Sequence, residues 1–218
     1  MKLDKKSRAL RKFLRFFKKG FYDPKYLAWE RDYKWNAHLA WEEHLNEKKF
    51  SGLMEQERYS DIAGMATRIE SRTNLLFSFE KMALRDAVKE DIGAEVFANA
   101  LYNYVYGHKS LPERFDRYVQ AIGTLPRKQT RVLTWPLATV FGFIANPKEH
   151  IFLKPVVTKN AAEAYGFDFE YRSRPNWDTY FSLLEFANKI RKDHKSLKPR
   201  DYIDLQSFIW ILGSPEYE

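Results

Sequence analysis

The hydrophobic and polar positions of this chain repeat with the period of an α-helix along nearly its whole length. Residues 5–19 show the pattern clearly, because apolar side chains recur at spacings of three and four while lysine and arginine fill most other positions. The apolar positions are Leu10, Phe13, Leu14 and Phe17. This stripe predicts an amphipathic helix. Such a helix can dock on the protein body with its charged side outward, or it can lie on phosphates or on an anionic lipid surface.

Residues that start and stop helices divide the rest of the chain. Asp23 and Pro24 form a helix start, and the helix that follows to about residue 46 carries an aromatic stripe typical of a core face. Gly107, Gly123 and Gly166 are expected to stop helices. The other predicted helices cover residues 56–71, 74–89, 93–106, 112–122, 128–145 with a kink or break at Pro136, 155–165, 176 or 178 to 194, and 199–213. We therefore predict one all-α domain over residues 1–218, with about ten helices, two lobes and a central cleft.

The composition supports a folded core and excludes several chemistries. Of the 218 residues, 44% are hydrophobic and 17% are aromatic, which is enough for a sizeable core. There is no cysteine, so disulfides, thiolate nucleophiles and cysteine-ligated zinc or iron–sulfur centres are excluded. The histidines lack zinc spacing and no glycine-rich phosphate loop is present, so we expect neither a metal nor a cofactor. No apolar run approaches the roughly 20 residues of a membrane span, and we expect a cytoplasmic monomer without a membrane partner.

The charge balance indicates a polyanionic partner. The formal net charge is +8 and the isoelectric point is about 9.4, which favours nucleic acid. The segment "TLPRKQTRVLTWP" predicts a proline turn followed by a helix that begins with Arg127, Lys128 and Arg131, where backbone N–H groups and cations could hold a phosphate. A second basic segment, "YRSRPNW", carries Arg172 and Arg174, and its composition suits a backbone clamp or an intercalating wedge. Simple packing of its two aromatic residues onto the body is the alternative.

Residues 74–167 resemble the core of the helix-hairpin-helix DNA glycosylase superfamily. Leu125-Pro126 matches the start of the family's hairpin, and "KQTRV" lies where its second helix begins. The apolar positions of "HIFLKPVVTKNAAEAYG" match the segment that follows. The hairpin glycines are missing, and Lys154 stands where the family has its catalytic aspartate. The resemblance implies a two-lobed helical fold with a degenerate helix-hairpin-helix element, and excision of a base that has been flipped out of DNA.

The whole chain, through the segments "LPRKQTRVLTWP", "HIFLKP", "YRSRPNW" and "DLQSFIWILGS", also resembles a group of bacterial proteins with a role in anti-phage defence. In that role a glycosylase removes glucosylated hydroxymethylcytosine from viral DNA. The resemblance implies that this chain excises α-glucosyl-5-hydroxymethylcytosine from double-stranded phage DNA by hydrolysis and leaves abasic sites. A non-catalytic, basic nucleic-acid-binding module and a helical protein whose first helix touches a membrane are the alternatives.

Hydrolysis of an N-glycosidic bond needs a carboxylate near the anomeric carbon. Asp201 and Asp204 lie three apart at a predicted helix start and share a face, although capping of the helix explains them too. Asp168 and Asp178 are weaker candidates. Lys154 would act as a nucleophile if desolvation lowered its pKa, or it would contact a phosphate.

A flipped base needs aromatic walls and polar groups that read its edge. The candidate walls are Trp177, Tyr180, Phe208 and Trp210, and the candidate readers are Asn176 and Gln206. Core packing is the alternative for each aromatic residue. Arg72 would read an acceptor or pair with Glu70.

Overall fold

The computed structural model describes residues 4–128 and 130–218, and every regular element in these ranges is helical. The all-α prediction is therefore confirmed. The eleven helices are α1 (Lys5–Phe16), α2 (Pro24–Tyr26 and Asp32–His44, joined by a π-helical turn over Leu27–Arg31), α3 (Glu47–Glu55), α4 (Tyr59–Ser71), α5 (Ser78–Ala87), α6 (Asp91–Tyr106), α7 (Leu111–Thr124), α8 (Trp135–Ala145), α9 (Pro155–Tyr165), α10 (Trp177–Asp193) and α11 (Tyr202–Gly213).

Several helix ends agree with the sequence signals. Asp23 accepts a hydrogen bond from the Lys25 N–H, and Pro24 occupies the first position of α2, where its missing N–H removes no helical hydrogen bond. Asn176 caps α10 in the same way through the Thr179 N–H. Gly166 ends α9 with φ of 77°, in the left-handed region that favours glycine.

The segment between α7 and α8 corrects the sequence prediction. Residues 128–145 were expected to be helical, but α8 begins only at Trp135, with Thr134 as its capping residue and Pro136 in its first turn. Pro136 cannot lie inside a helix without loss of a hydrogen bond, whereas the first turn accepts it. The expected helix start at Arg127, Lys128 and Arg131 is therefore wrong for the described residues of this connecting segment. Gln129 lies outside the described residues.

Smaller corrections concern other boundaries. Gly123 does not stop a helix but lies inside α7, which ends at Thr124. Helix α3, capped by Asn46, was not predicted. Helices α4, α5 and α11 begin three or four residues later than the sequence patterns suggested.

Two helices are buried on nearly every side. All eleven residues of α8 are buried, and α2, α4, α6 and α7 pack around it. In α11 only Trp210 is partly exposed, and its neighbours are α1, α9, α10 and the π-helical turn of α2. The buried side chains of both groups form one continuous hydrophobic cluster, which is the burial that stabilises helices of this length.

Candidate functional site

A cleft of about 410 Å³ opens between the first half of α2, α11, and the segments 74–77, 152–154 and 216–217. Its volume lies in the range of small-molecule sites. The aromatic side chains of its lining are Trp29, Tyr33, Phe77, Phe152, Trp210 and Tyr217. The polar side chains are Glu30, Lys34, Asn74, Lys154, Gln206 and Glu216. The cleft thus combines flat apolar walls with a small number of hydrogen-bonding groups.

Glu30 is the most deeply placed carboxylate of this cleft, with 5% of its surface exposed. Its Oε1 atom accepts a hydrogen bond from the Tyr217 hydroxyl, and its Oε2 atom lies 3.3 Å from the Lys34 ammonium. Burial and the hydrogen bond to Glu30 raise the pKa of Tyr217, so the phenol keeps its proton and donates it. Two donors therefore hold the Glu30 side chain in place.

Lys34 links the two helices that form the floor of the cleft. Its ammonium bonds to Glu30 in α2 and donates to the Ser207 hydroxyl in α11 at 2.8 Å. Burial lowers the pKa of Lys34, and the charge of Glu30 opposes that shift. A buried ammonium is stable only beside such partners, so Glu30 and Lys34 depend on each other.

Lys154 brings a second ammonium to the wall of the cleft. Its Nζ atom donates to the Leu75 carbonyl at 3.0 Å and lies 3.4 Å from the centre of the Phe77 ring. Burial lowers the pKa of this amine, opposed by the charges of Glu80 and Glu70. A cation over a ring face is stabilised by the ring quadrupole, and the contact fixes both side chains at the mouth.

Gln206 carries an unsatisfied polar group. The residue lines the cleft and is 4% exposed, and its Oε1 atom has no hydrogen-bond partner among residues 4–128 and 130–218. A buried carbonyl oxygen without a partner costs free energy. A ligand that supplies an N–H or O–H donor to this amide would remove the cost.

The segment that bears Phe77 is held by buried acids. Glu80 accepts the Phe77 N–H at 2.9 Å and the Thr134 hydroxyl at 3.2 Å, which ties the mouth of the cleft to the start of α8. Glu70 bonds to Thr73 and lies 3.6 Å from the Lys81 ammonium, and burial raises the pKa of Glu70. These contacts of Glu70 and Glu80 therefore fix the segment that carries Phe77 at the wall of the cleft.

Arg72 does not take part in this bracing. It lies exposed, and Glu70, its expected partner, pairs with Lys81 instead.

The two aspartates proposed as catalysts lie in a closed ion-pair network that does not line the cleft. Asp201 accepts two hydrogen bonds from the Arg31 guanidinium, at 2.9 and 2.7 Å, and caps α11 through the Ile203 N–H. Asp204 has no exposed surface. It accepts hydrogen bonds from Tyr26, Arg31 and Arg200. Capping, the alternative explanation of Asp201, is confirmed, and the oxygens of Asp204 have no room for a substrate in this arrangement.

The expected base pocket is split between two places. Gln206 and Trp210 line the cleft together with Lys154. Trp177 and Tyr180 instead pack against Phe115 in the contact between α7 and α10, where the rings of Tyr180 and Phe115 stack at 4.3 Å. Asn176 caps α10 beside them. Phe208 lies in the core, 5.1 Å from the ring of Phe13.

The expected DNA-backbone residues are all on the surface, at two separate places. Arg127, Lys128 and Arg131 are exposed in the segment between α7 and α8, and Lys128 borders a shallow depression with Phe79 and Met82. Arg172 and Arg174 are exposed before α10. The Arg172 guanidinium lies 3.3 Å from Asp178, which is itself exposed; Asp168 is also exposed.

Glu30 and Lys34 were not singled out from the sequence, although a signal exists. They lie four residues apart and therefore share a helix face, inside a stripe that also contains Trp29 and Tyr33. An oppositely charged pair on the same helix face as aromatic residues indicates that both charges are buried. Buried Lys and Glu side chains are rare unless they are paired. The π-helical turn adds to this, because such turns are frequent at functional sites.

No family model, no curated protein and no solved structure matched the chain. Within the described ranges, no three histidine or acidic side chains are grouped so that they could hold a metal ion. In the same ranges no helix has both the length and the apolar character that a membrane crossing requires.

Proposed function

We propose that this protein is a DNA glycosylase that binds a flipped, modified base in the cleft and hydrolyses its N-glycosidic bond with Glu30. The observation that carries the proposal is the buried Glu30 carboxylate, braced by Tyr217 and Lys34 inside an aromatic cleft of about 410 Å³. In glycoside hydrolysis a carboxylate beside the scissile bond activates water or stabilises the sugar cation, and Glu30 is the buried carboxylate that lines this cleft. In this proposal Glu30 takes the role that the sequence assigned to Asp201 or Asp204.

The proposed reaction assigns a task to each group of the cleft. Glu30 accepts a proton from water, the water oxygen bonds to C1′ of the sugar, and the bond from C1′ to the base nitrogen breaks. The electron pair of that bond goes to the base, which then takes up the proton that Glu30 received from water, so that Glu30 is a carboxylate again. The ammonium of Lys154 stabilises the negative charge that builds up on the leaving base. Gln206 accepts a hydrogen bond from the base edge.

The surroundings of the cleft support a nucleic acid as the source of the base. Trp29 and Phe77 line the cleft yet are 55% and 54% exposed, and Phe79 stacks on Phe77 at 5.5 Å. Exposed aromatic rings beside cations provide stacking platforms for bases. Lys128 lies beside Phe79, because both side chains line the same shallow depression. The glycosylase-like arrangement that we propose places the cleft between the helices around α8 and those around α11.

One observation favours a second function, a non-catalytic module that binds an unpaired base. Both oxygens of Glu30 already have donors, Tyr217 and Lys34, so this carboxylate could serve only to hold the cleft together. The two functions differ in a single result, the release of a base.

Base release from three duplexes tests the proposal. Duplexes with unmodified cytosine, 5-hydroxymethylcytosine and its α-glucosyl form are incubated with the protein, treated with alkali to reveal abasic sites, and analysed for free base by mass spectrometry. We expect abasic sites on one of the modified duplexes. Binding without release from any duplex would favour the binding module.

The Glu30→Gln variant, with Glu43→Gln as its control, assigns the carboxylate. Glu43 also lies in α2, but its side chain is 71% exposed. Removal of a general base lowers rates by about 10²- to 10⁴-fold, so we expect Glu30→Gln to lose release while Glu43→Gln keeps the wild-type rate. Circular dichroism of both variants checks that they fold.

A further inference from the structure

Helix α1 is fastened to the protein by its apolar side and by three of its lysines. Ala9, Phe13 and Phe17 are buried in the core. Lys5 donates to the Glu163 carbonyl at 3.1 Å, and Lys12 to the Leu212 carbonyl at 3.2 Å. The third, Lys6, pairs with Asp193 at 3.0 Å. The docked form of this helix is therefore the observed one, and its apolar stripe is not available to a lipid surface.

The opposite side of α1 presents a row of arginines. Arg8, Arg11 and Arg15 follow one another at spacings of three and four, so they share one face of the helix, and all three are exposed. Within residues 4–128 and 130–218, no carboxylate lies within ion-pair distance of them. Lys18 and Lys19 are exposed in the turn that follows. Among the described residues, this face is therefore a strip of exposed cations that form no ion pair with a carboxylate.

The dimensions of the row fit a phosphate backbone. At 1.5 Å per residue, Arg8 and Arg15 are separated by roughly 10 Å along the helix axis. Successive phosphates of one DNA strand advance by about 3.4 Å along the duplex axis. Because the strand also winds around that axis, neighbouring phosphates lie farther apart than this advance, and the three guanidinium groups can reach about two to three phosphates of one strand.

The row ends beside the cleft. The Arg15 guanidinium lies 4.7 Å from the centre of the Phe16 ring. Phe16 in turn packs edge-on against Tyr217 at 5.0 Å, and Tyr217 donates its hydrogen bond to Glu30. Two ring contacts thus connect the end of the strip to the carboxylate of the cleft.

We propose that Arg8, Arg11 and Arg15 form a binding surface for the phosphate backbone of the DNA whose base enters the cleft. The inference rests on the proposed function, because it takes the occupant of the surface to be the same nucleic acid. It adds a contact region that the segment between α7 and α8 does not supply. Insertion of α1 into an anionic membrane would need its apolar side, and the core already covers that side.

The salt dependence of DNA binding tests the surface. The full-length variant Arg8→Gln/Arg11→Gln/Arg15→Gln is compared with Lys48→Gln/Lys89→Gln/Lys192→Gln, which removes three exposed cations from elsewhere on the protein. Affinity for an unmodified duplex is measured by fluorescence anisotropy at several salt concentrations. Each lost phosphate contact lowers the slope of log K against log salt by about 0.9. We expect a drop of about 2 to 3 in the first variant and little change in the second.

Three results would overturn the inference: an unchanged slope in the α1 variant, an equal drop in both variants, or no measurable binding of the wild-type protein to the duplex. Vesicles that contain phosphatidylserine provide a further arm. Vesicle binding that is lost in the α1 variant while its DNA slope is unchanged would assign the surface to a membrane instead.

The outcomes separate this inference from the proposed function. If the wild-type protein releases a base and the salt slope of DNA binding is unchanged in the α1 variant, the proposed surface is rejected and the proposed glycosylase function is kept. A reduced slope without any base release would keep the surface and favour the binding module.

Discussion

Glu30 and Arg31 are neighbours in the π-helical turn of α2, yet their side chains belong to two different polar networks. Glu30 lines the cleft and bonds to Tyr217 and Lys34. Arg31 is bound by the aspartates at the start of α11, at 2.7 Å from Asp201 and 2.9 Å from Asp204. The network around Arg31 holds the turn from which Glu30 projects. The two aspartates therefore act on the cleft through the position of α2, and the charge of Asp204 also opposes the lowering of the Lys34 pKa by burial.

The first prediction concerns the stability that this network provides. Asp204→Asn removes the buried charge that Arg31 and Arg200 share, so Arg200 loses its carboxylate while Arg31 keeps only its pair with Asp201. Breaking a buried pair costs about 3–5 kcal/mol, so we expect the free energy of unfolding in urea to fall by that amount. The control is Asp61→Asn, which breaks an exposed pair with Arg58 and should cost less than about 1 kcal/mol. Equal effects of the two substitutions would contradict the structural role of Asp204.

The second prediction concerns the aromatic wall of the cleft. Trp29 is 55% exposed and borders the cleft, whereas Phe181 is 48% exposed and does not line it. Loss of a stacking platform weakens binding by about 1–3 kcal/mol per base. Trp29→Ala should therefore weaken binding of a duplex with an unpaired base by this amount, and Phe181→Ala should leave the affinity as it is. Binding that is insensitive to Trp29 would place the base elsewhere.

The third prediction concerns Lys154. In a hydrolytic reaction through Glu30 no covalent bond forms between protein and DNA, because the Lys154 amine is engaged by the Leu75 carbonyl and the Phe77 ring. Treatment of the reaction with borohydride should then trap no adduct. A trapped adduct that disappears in Lys154→Ala would show instead that this lysine is the nucleophile.

The fourth prediction concerns acid stability. His150, whose Nε2 atom lies 3.3 Å from the Glu149 carboxylate, and the Arg114 guanidinium, which donates to it, lower the pKa of Glu149 to about 2, although burial opposes the shift. Because the folded pKa lies below the unfolded value of about 4.3, the stabilisation by this carboxylate is present above that value and is lost as the pH falls towards 2. The difference in urea midpoint between wild-type protein and Glu149→Gln should shrink over this range. A constant difference between pH 7 and pH 2 would contradict the assignment.

Much of the helical framework could be predicted because local signals determine it. Gly166 ends α9 as expected, and Asp23 and Asn176 cap α2 and α10. These residues could be predicted because each interacts with backbone groups only a few positions away in the chain. The segment before α8 shows the limit of this approach. The apolar residues around Val132 continue a helical period, but Thr134 and Pro136 start a new helix there. The order Thr-Trp-Pro would have been the better signal.

The candidate site could be predicted only in part. Gln206, Trp210 and Lys154 line the cleft, but Trp177 and Tyr180 pack elsewhere, because aromatic residues serve a core and a pocket equally well. The roles proposed for Asp201 and Asp204 depended on a shared helix face, and the sequence could not show that Arg31, about 170 residues away in the chain, would occupy that face. Long-range pairing of this kind is set by the packing of α2 on α11.

The rate of base release under single-turnover conditions, compared between Glu30→Gln and Asp204→Asn, tests the central claim most directly. Rates are taken relative to the folded fraction of each protein. The account predicts that Glu30→Gln lowers the rate by about 10²- to 10⁴-fold, while Asp204→Asn lowers it by less than about tenfold and mainly destabilises the fold. Release that survives in Glu30→Gln and is abolished in folded Asp204→Asn would contradict the assignment of Glu30 and return the catalytic role to the aspartate.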